Sequence, residues 1–203
     1  MKLVVGLGNP GAEYRHNRHN IGFIALDAVM KRYEFGAAHR KFHGIIAEGR
    51  IDGVRVLALK PLTYMNDSGI AVAEAGRFYK VAPEHTYVLY DELDLMPGKV
   101  RVKRGGGSAG HNGIRSIDAH CDADYWRVRL GIGHPGDKAA VLRYVLRDFT
   151  KADHEWLEPL LDAVAESLPL LLKGRDSDFM SHVAMRMKPP KPARDAAADN
   201  RSG

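Results

Sequence analysis

Apolar and polar positions along the chain follow two periods, one strand-like and one helical, in alternation. Leu3 to Leu7 is a short apolar run, β-branched at its centre and broken by glycine, which predicts a buried strand. Ile21 to Tyr33 has helical spacing through Ile21, Ile24, Ala25, Ala28 and Val29, with Asn20 placed to cap it. Ile45 to Glu48 and Val54 to Leu59 predict two strands joined by a turn at Asp52-Gly53. Ser68 to Tyr79 predicts a helix with Ile70, Val72, Ala73 and Phe78 as its apolar positions, and Thr86 to Tyr90 a strand that delivers Asp91 at its end. Lys99 to Lys103 alternates basic and apolar residues, the period of a strand with one charged face. A short helix over Ile114 to His120 and a strand over Trp126 to Ile132 follow, the latter with Val128, Leu130 and Ile132 on one side. Lys138 to Arg147, Lys151 to Leu172 and Asp176 to Met187 predict the closing helices.

Strands and helices that alternate in this way predict an α/β fold: a single domain with a mixed twisted β-sheet and helices on both faces. The patterned part ends near residue 187. Residues 188–203 contain no large apolar side chain, so they predict a disordered tail. A chain of 203 residues is long enough for one well-packed domain and marginal for two. The net charge of +5 favours an anionic partner, although the same excess of Lys and Arg also serves solubility alone. One cysteine, Cys121, excludes an intramolecular disulfide and suits a reducing compartment. No apolar run approaches the roughly 18 residues of a membrane span, and the N-terminus has no signal-peptide pattern. The expectation is a cytoplasmic protein without a membrane segment.

The candidate chemistry is concentrated in a few polar, glycine-rich stretches. Gly6-Leu7-Gly8-Asn9-Pro10-Gly11 and Gly105-Gly106-Gly107-Ser108-Ala109-Gly110-His111-Asn112-Gly113 each place a side-chain amide in a glycine turn. Glycine permits close backbone approach, and asparagine offers a donor and an acceptor without charge. The first stretch matches G-x-G-x-x-G, but no apolar helical period opens at Gly11, as a dinucleotide site requires. His16/His19 and His39/His43 have spacings that could pair on a helix face, and Asp91, Glu92 and Asp94 cluster after a strand. The histidines have no matching further ligand nearby, and the acidic cluster reads as a solvated turn after a strand, so no metal or cofactor is expected. No serine sits in a nucleophile elbow. What remains is a histidine acting as base on water, oriented and charged by a carboxylate: His19 or His16 with Asp91. The stripe Lys99, Arg101, Lys103 and Arg104 is the best anion-binding candidate, with a solvated strand face as the plain alternative.

At these residues the chain resembles the bacterial peptidyl-tRNA hydrolase family. The likeness rests on Gly6 to Gly11, Tyr14, Arg18-His19-Asn20-Ile21-Gly22, Lys60-Pro61, Thr63, Met65-Asn66, Ser68-Gly69, Asp91, Leu93-Asp94-Leu95, Gly105 to Gly107, Gly110 to Gly113, and the segment Arg129 to Gly136. It runs in order from residue 1 to about 187. Glu92 stands where Asp is common, and Tyr64 where another aromatic often stands. The resemblance implies hydrolysis of the ester between a peptide and the 3′-terminal ribose of tRNA, by a cytoplasmic monomer without metal or cofactor. It selects His19 as the base on water and Asp91 as its partner. It assigns Asn9 to reading the substrate's amide, and Asn66 and Asn112 to the 3′ end and peptide backbone. Tyr14 and Tyr64 would line the tRNA contact, with Arg101 and Lys103 beside it on the basic stripe. A non-catalytic RNA-binding protein of the same fold and a nucleotide-dependent oxidoreductase are the competing classes.

Overall fold

The computed structural model describes residues 1–188; all of the predicted tail except Lys188 lies outside them. Seven strands form one sheet in the order β2-β3-β4-β1-β5-β7-β6. They are β1 (Lys2–Gly6), β2 (His39–Lys41), β3 (Gly44–Ile51), β4 (Val54–Pro61), β5 (Thr86–Glu92), β6 (Val100–Arg104) and β7 (Trp126–Gly131). β1, β4, β5 and β7 run parallel in the middle. The β2-β3-β4 hairpins and β6 add antiparallel strands at the two edges. The helices are α1 (Ile21–Arg32), α2 (Ser68–Tyr79), α3 (Asn112–His120), α4 (Val141–Val145), α5 (His154–Leu172) and α6 (Asp176–Arg186).

Alternation along the central strands builds two cores, one on each sheet face. Val4, Ala58, Leu89, Val128 and Leu130 meet Ala25, Leu26 and Val29 of α1, Leu160 and Val164 of α5, and Phe179 of α6. Leu3, Val5, Leu57, Val88 and Tyr90 meet Ala71, Val72 and Ala75 of α2 and Ile114 and Ile117 of α3. The α/β class expected from the sequence, with helices on both faces of a mixed sheet, is the observed one.

Several details differ from the pattern-based reading. β2 is exposed throughout, so no apolar alternation announces it. β3 runs three residues further, to Ile51, because it pairs with β4 along its whole length. The predicted helix over Lys138 to Arg147 is a 3-10 turn at Lys138–Ala140 followed by the five residues of α4. Asn20 does not cap α1 with its side chain. Its amide instead closes a two-way bond with the Asn9 backbone: Asn9 N donates to Asn20 Oδ1 at 2.9 Å, and Asn20 Nδ2 donates to Asn9 O at 2.9 Å.

The connections after β1 and β5 leave toward opposite faces: α1 packs on one, and the route through β6 to α3 leads to the other. Adjacent parallel strands with that property leave a crevice at their carboxyl ends. Leu7 to Asn9 leave β1 there, and Asp91 lies near the end of β5.

Candidate active site

The glycines of the first motif serve packing more than ligand approach. A Cβ on Gly6 would stand 2.3 Å from the Gly22 carbonyl oxygen, and one on Gly8 would meet the Phe23 ring at 2.7 Å. Gly22 reciprocates, since a Cβ there would lie 2.3 Å from Leu89 O. The N-terminus of α1 therefore rests directly on the backbone of β1 and β5, and Phe23 N donates to Leu7 O at 3.1 Å. A 3-10 turn, Arg18–Asn20, precedes α1 and carries His19 over the end of β5.

There His19 Nδ1 donates to the Asp91 carboxylate at 2.9 Å. His16 is exposed, and among the described residues it makes no side-chain hydrogen bond. Asp91 is buried and holds a second imidazole: His111 Nε2 donates to Oδ1 at 2.8 Å. His111 Nδ1 accepts from Ile114 N at 3.3 Å and so caps α3, which assigns its ring to the Nε2–H tautomer. Burial opposes charge on His19, but the Asp91 charge and hydrogen bond outweigh it and raise the pKa above the ordinary imidazole value. Burial also opposes charge on Asp91, and the two imidazoles outweigh it, holding the carboxyl well below its usual range. His19 Nε2 is left as the nitrogen able to take a proton from water.

His19, Asp91 and Asn112 line one cavity of about 570 Å³, between Ser108–Asn112 on one side and His134, Lys138, Val141, Leu142 and Val145 on the other. Asn9 is buried, and its Oδ1 accepts from Met65 N at 2.8 Å, so the donor half of its amide is what it can offer a ligand. Met65 is backed by α3: a Cβ on Gly113 would meet Met65 Sδ at 2.6 Å. This contact sets the exposed Asn66 and Asn112, each beside one of the touching residues, on neighbouring turns. Tyr14 is half-buried in its own 3-10 turn and Tyr64 is 62% exposed; neither lines the cavity.

The basic stripe is displaced by one residue from the expected strand. Arg101 is exposed and Lys103 partly so on β6, opposite Arg129 and Arg127 of β7. Arg104 is paired with Asp124, and Arg129 with the buried Glu92 at 2.9 Å, so Arg101 and Lys103 are the cations of β6 without a carboxylate partner among the described residues. Burial first, then Arg129 and Arg127, push Lys103 below the ordinary amine value. Two strand spacings, about 10 Å, separate β6 from β5 and Asp91.

Sequence reasoning missed His111 as a site residue. Its only local signal is a histidine at the mouth of a glycine turn, where it occupies a helix-cap position that usually takes Ser, Thr, Asp or Asn. Ligand atoms of His19, Asp91 and His111 lie within 4.8 Å of one another, a set that neither histidine spacing nor the acidic cluster indicated. Each of these ligand atoms is committed to the shared hydrogen bonds.

A mixed sheet with helices on both faces, and a carboxylate-bound histidine lining a crevice at the ends of its parallel strands, is the build of an α/β enzyme. A sequence profile of the peptidyl-tRNA hydrolase family matches residues 3–191, and the chain belongs to that family. It is 58% identical to a peptidyl-tRNA hydrolase of Rhodospirillum rubrum over 97% of this chain and 81% of that one. It is likewise 58% identical to that of a Chelativorans species, over 93% and 79%. A crystal structure of peptidyl-tRNA hydrolase from Acinetobacter baumannii superposes with a TM-score of 0.85 at 39% identity, covering 90% of this chain and 94% of that one. Among the described residues no helix is long and apolar enough to cross a membrane.

Proposed function

We propose that the enzyme hydrolyses the ester joining a peptide, or an N-blocked aminoacyl group, to the 3′-terminal ribose of tRNA, with His19 as the base on water. The observation that carries this reading is the His19 Nδ1 bond to a buried Asp91, which leaves Nε2 as the ring nitrogen able to take a proton. Nε2 removes a proton as the water oxygen attacks the ester carbonyl carbon, and Asp91 stabilises the imidazolium that forms. Collapse of the tetrahedral intermediate breaks the bond to the ribose oxygen, which leaves with the proton held on Nε2. The products are a peptide acid and a free 3′ terminus.

Asn9 supports selection of blocked ends. Its available Nδ2–H₂ is a donor, and an N-acyl group presents a carbonyl oxygen that a free amino end lacks. Asn66 and Asn112 hold the 3′ end and the peptide backbone. Tyr14 and Tyr64 border the tRNA, and Arg101 and Lys103 meet its phosphates, with the enzyme acting as a monomer in the cytoplasm. The deciding experiment is release of the acyl group from N-acetylaminoacyl-tRNA and from the unblocked aminoacyl-tRNA. Hydrolysis of the first in strong preference to the second is expected; no hydrolysis of either would overturn the reading.

A further inference from the structure

Arg127 lies in β7 with no solvent exposure, an unusual place for a guanidinium. Its Nη1 donates to the Gly107 carbonyl at 3.0 Å and its Nη2 to Asp118 Oδ1 at 2.8 Å. The group stands over the Tyr125 ring at 4.6 Å, and the Tyr125 hydroxyl donates to the same Asp118 oxygen at 2.9 Å. Arg127 Nε has no hydrogen-bond partner among the described residues. A buried, incompletely satisfied cation is a poor source of stability, because desolvation offsets most of its attraction to a carboxylate. Its position along the chain suggests another use. Gly107 and Asp118 bracket the segment that carries His111 and Asn112. Between Gly105 and Gly110 the backbone depends on left-handed angles, with φ of +67° at Gly105, +95° at Gly106, +48° at Ala109 and +82° at Gly110. Its backbone bonds among the described residues are few: Gly105 N to Tyr125 O, and His111 N to Ser108 O. The Arg127 fork thus ties a sparsely bonded loop to the helix that follows it.

We infer that Arg127 is a positioning residue, which clamps both flanks of the 107–118 segment and thereby holds His111 on Asp91 and Asn112 at the cavity wall. The inference rests on the proposed ester hydrolysis for its kinetic consequence, but the clamp itself has a signature independent of turnover. Arg127 cannot act by touching tRNA phosphates, since it is buried. Its loss should therefore be felt equally by full tRNA and by a phosphate-free substrate.

The test compares wild type, Arg127→Met and Arg127→Lys in the full chain. Met conserves apolar volume, and the partly exposed Asp118 can be solvated once unpaired. Lys keeps the charge, but a single ammonium cannot reproduce the two-pronged fork. Expected for both are a melting temperature near wild type, faster amide exchange at residues 107–112, and loss of the protected His111 Nε2–H proton signal. With N-acetylaminoacyl-tRNA, kcat/KM should fall about 10- to 100-fold, the scale of a misplaced active-site group. An N-acetylaminoacyl-adenosine should show the same fold-loss. Loss of the His111 bond should also concentrate Asp91 on His19 and move the acidic limb of the pH–rate profile upward, with no further movement on adding His111→Ala. Wild-type exchange and an intact His111 signal in both variants would overturn the clamp, whatever the activity. Faster exchange with undiminished kcat/KM would overturn its role in positioning. Should Arg127→Met fail to fold, Arg127→Lys alone carries the comparison. If the wild-type enzyme released neither substrate, the hydrolytic reading would fail, while the exchange and proton signals would still decide the clamp.

Discussion

Asp91 accepts from two imidazoles, those of His19 and His111. His19→Ala should lower turnover of N-acetylaminoacyl-tRNA by about 10²–10⁴ while sparing tRNA binding, the scale of general-base catalysis. His16→Ala, which removes an exposed ring, should stay close to wild type; comparable losses in the two variants would contradict the assignment. With His19 as the proposed base its neutral form is the active one, and because Asp91 raises its pKa, the acidic limb of kcat/KM should lie above the ordinary imidazole value of about 6.5. Asp91→Asn removes that support. The limb should then shift to lower pH while the plateau rate drops, because the imidazolium formed in the transition state loses its counter-charge. A limb that stays in place would sever the coupling. Asn9→Asp tests the donor reading. It can still accept from Met65 N but repels a carbonyl oxygen, so preference for blocked over free aminoacyl ends should fall about 10- to 100-fold, the worth of one buried hydrogen bond to the substrate.

Among the elements, α1 positions His19 through a glycine contact. Gly22→Ala would press a methyl against Leu89 O and the Leu7 backbone, neither of which can rotate away. The change should cost about 3 kcal/mol, the upper part of the range for overpacking. At ~2–4 °C per kcal/mol for a chain of this size, the melting temperature should fall by about 6–12 °C. A melting temperature unchanged within error would mean that α1 does not rest on the strands as described. Elements with a buried face and a clear period were legible from the chain: β1, β4, β5 and β7, and helices α1, α2, α5 and α6. β2 escaped because His39, Arg40 and Lys41 are all exposed, and its existence depends on pairing with β3. The α4 segment reads as a longer helix, yet Leu142 is 69% exposed and Val145 is the residue of that helix it buries. A helix with so little buried face receives little tertiary support and is short.

For the whole molecule, the proposed reading has the tRNA pass along β6, where Arg101 and Lys103 lie. Arg101→Ala or Lys103→Ala should weaken capture of tRNA and reduce the slope of log affinity against log salt by about one unit each. Turnover at saturating substrate should change little, because remote phosphates are held equally in ground and transition states. A phosphate-free N-acetylaminoacyl-adenosine should be indifferent to both changes. If it lost as much activity as tRNA did, the cations would have to act beside the ester.

The α/β class, the central strands, and the polar stretches that supply His19, Asp91, Asn9, Asn66 and Asn112 were determined by the sequence alone, because periodicity, glycine placement and side-chain chemistry are local properties. Tertiary structure decided the partnerships. Both His16 and His19 precede the same helix, and only the seating of Gly22 on β1 and β5 brings one of them to Asp91, 72 positions away. His111 joins that carboxylate, and Arg127 reaches Gly107 and Asp118, by the same rule: a hydrogen bond depends on where the sheet and its two helical layers bring atoms within 3 Å, and spacing along the chain does not encode that distance.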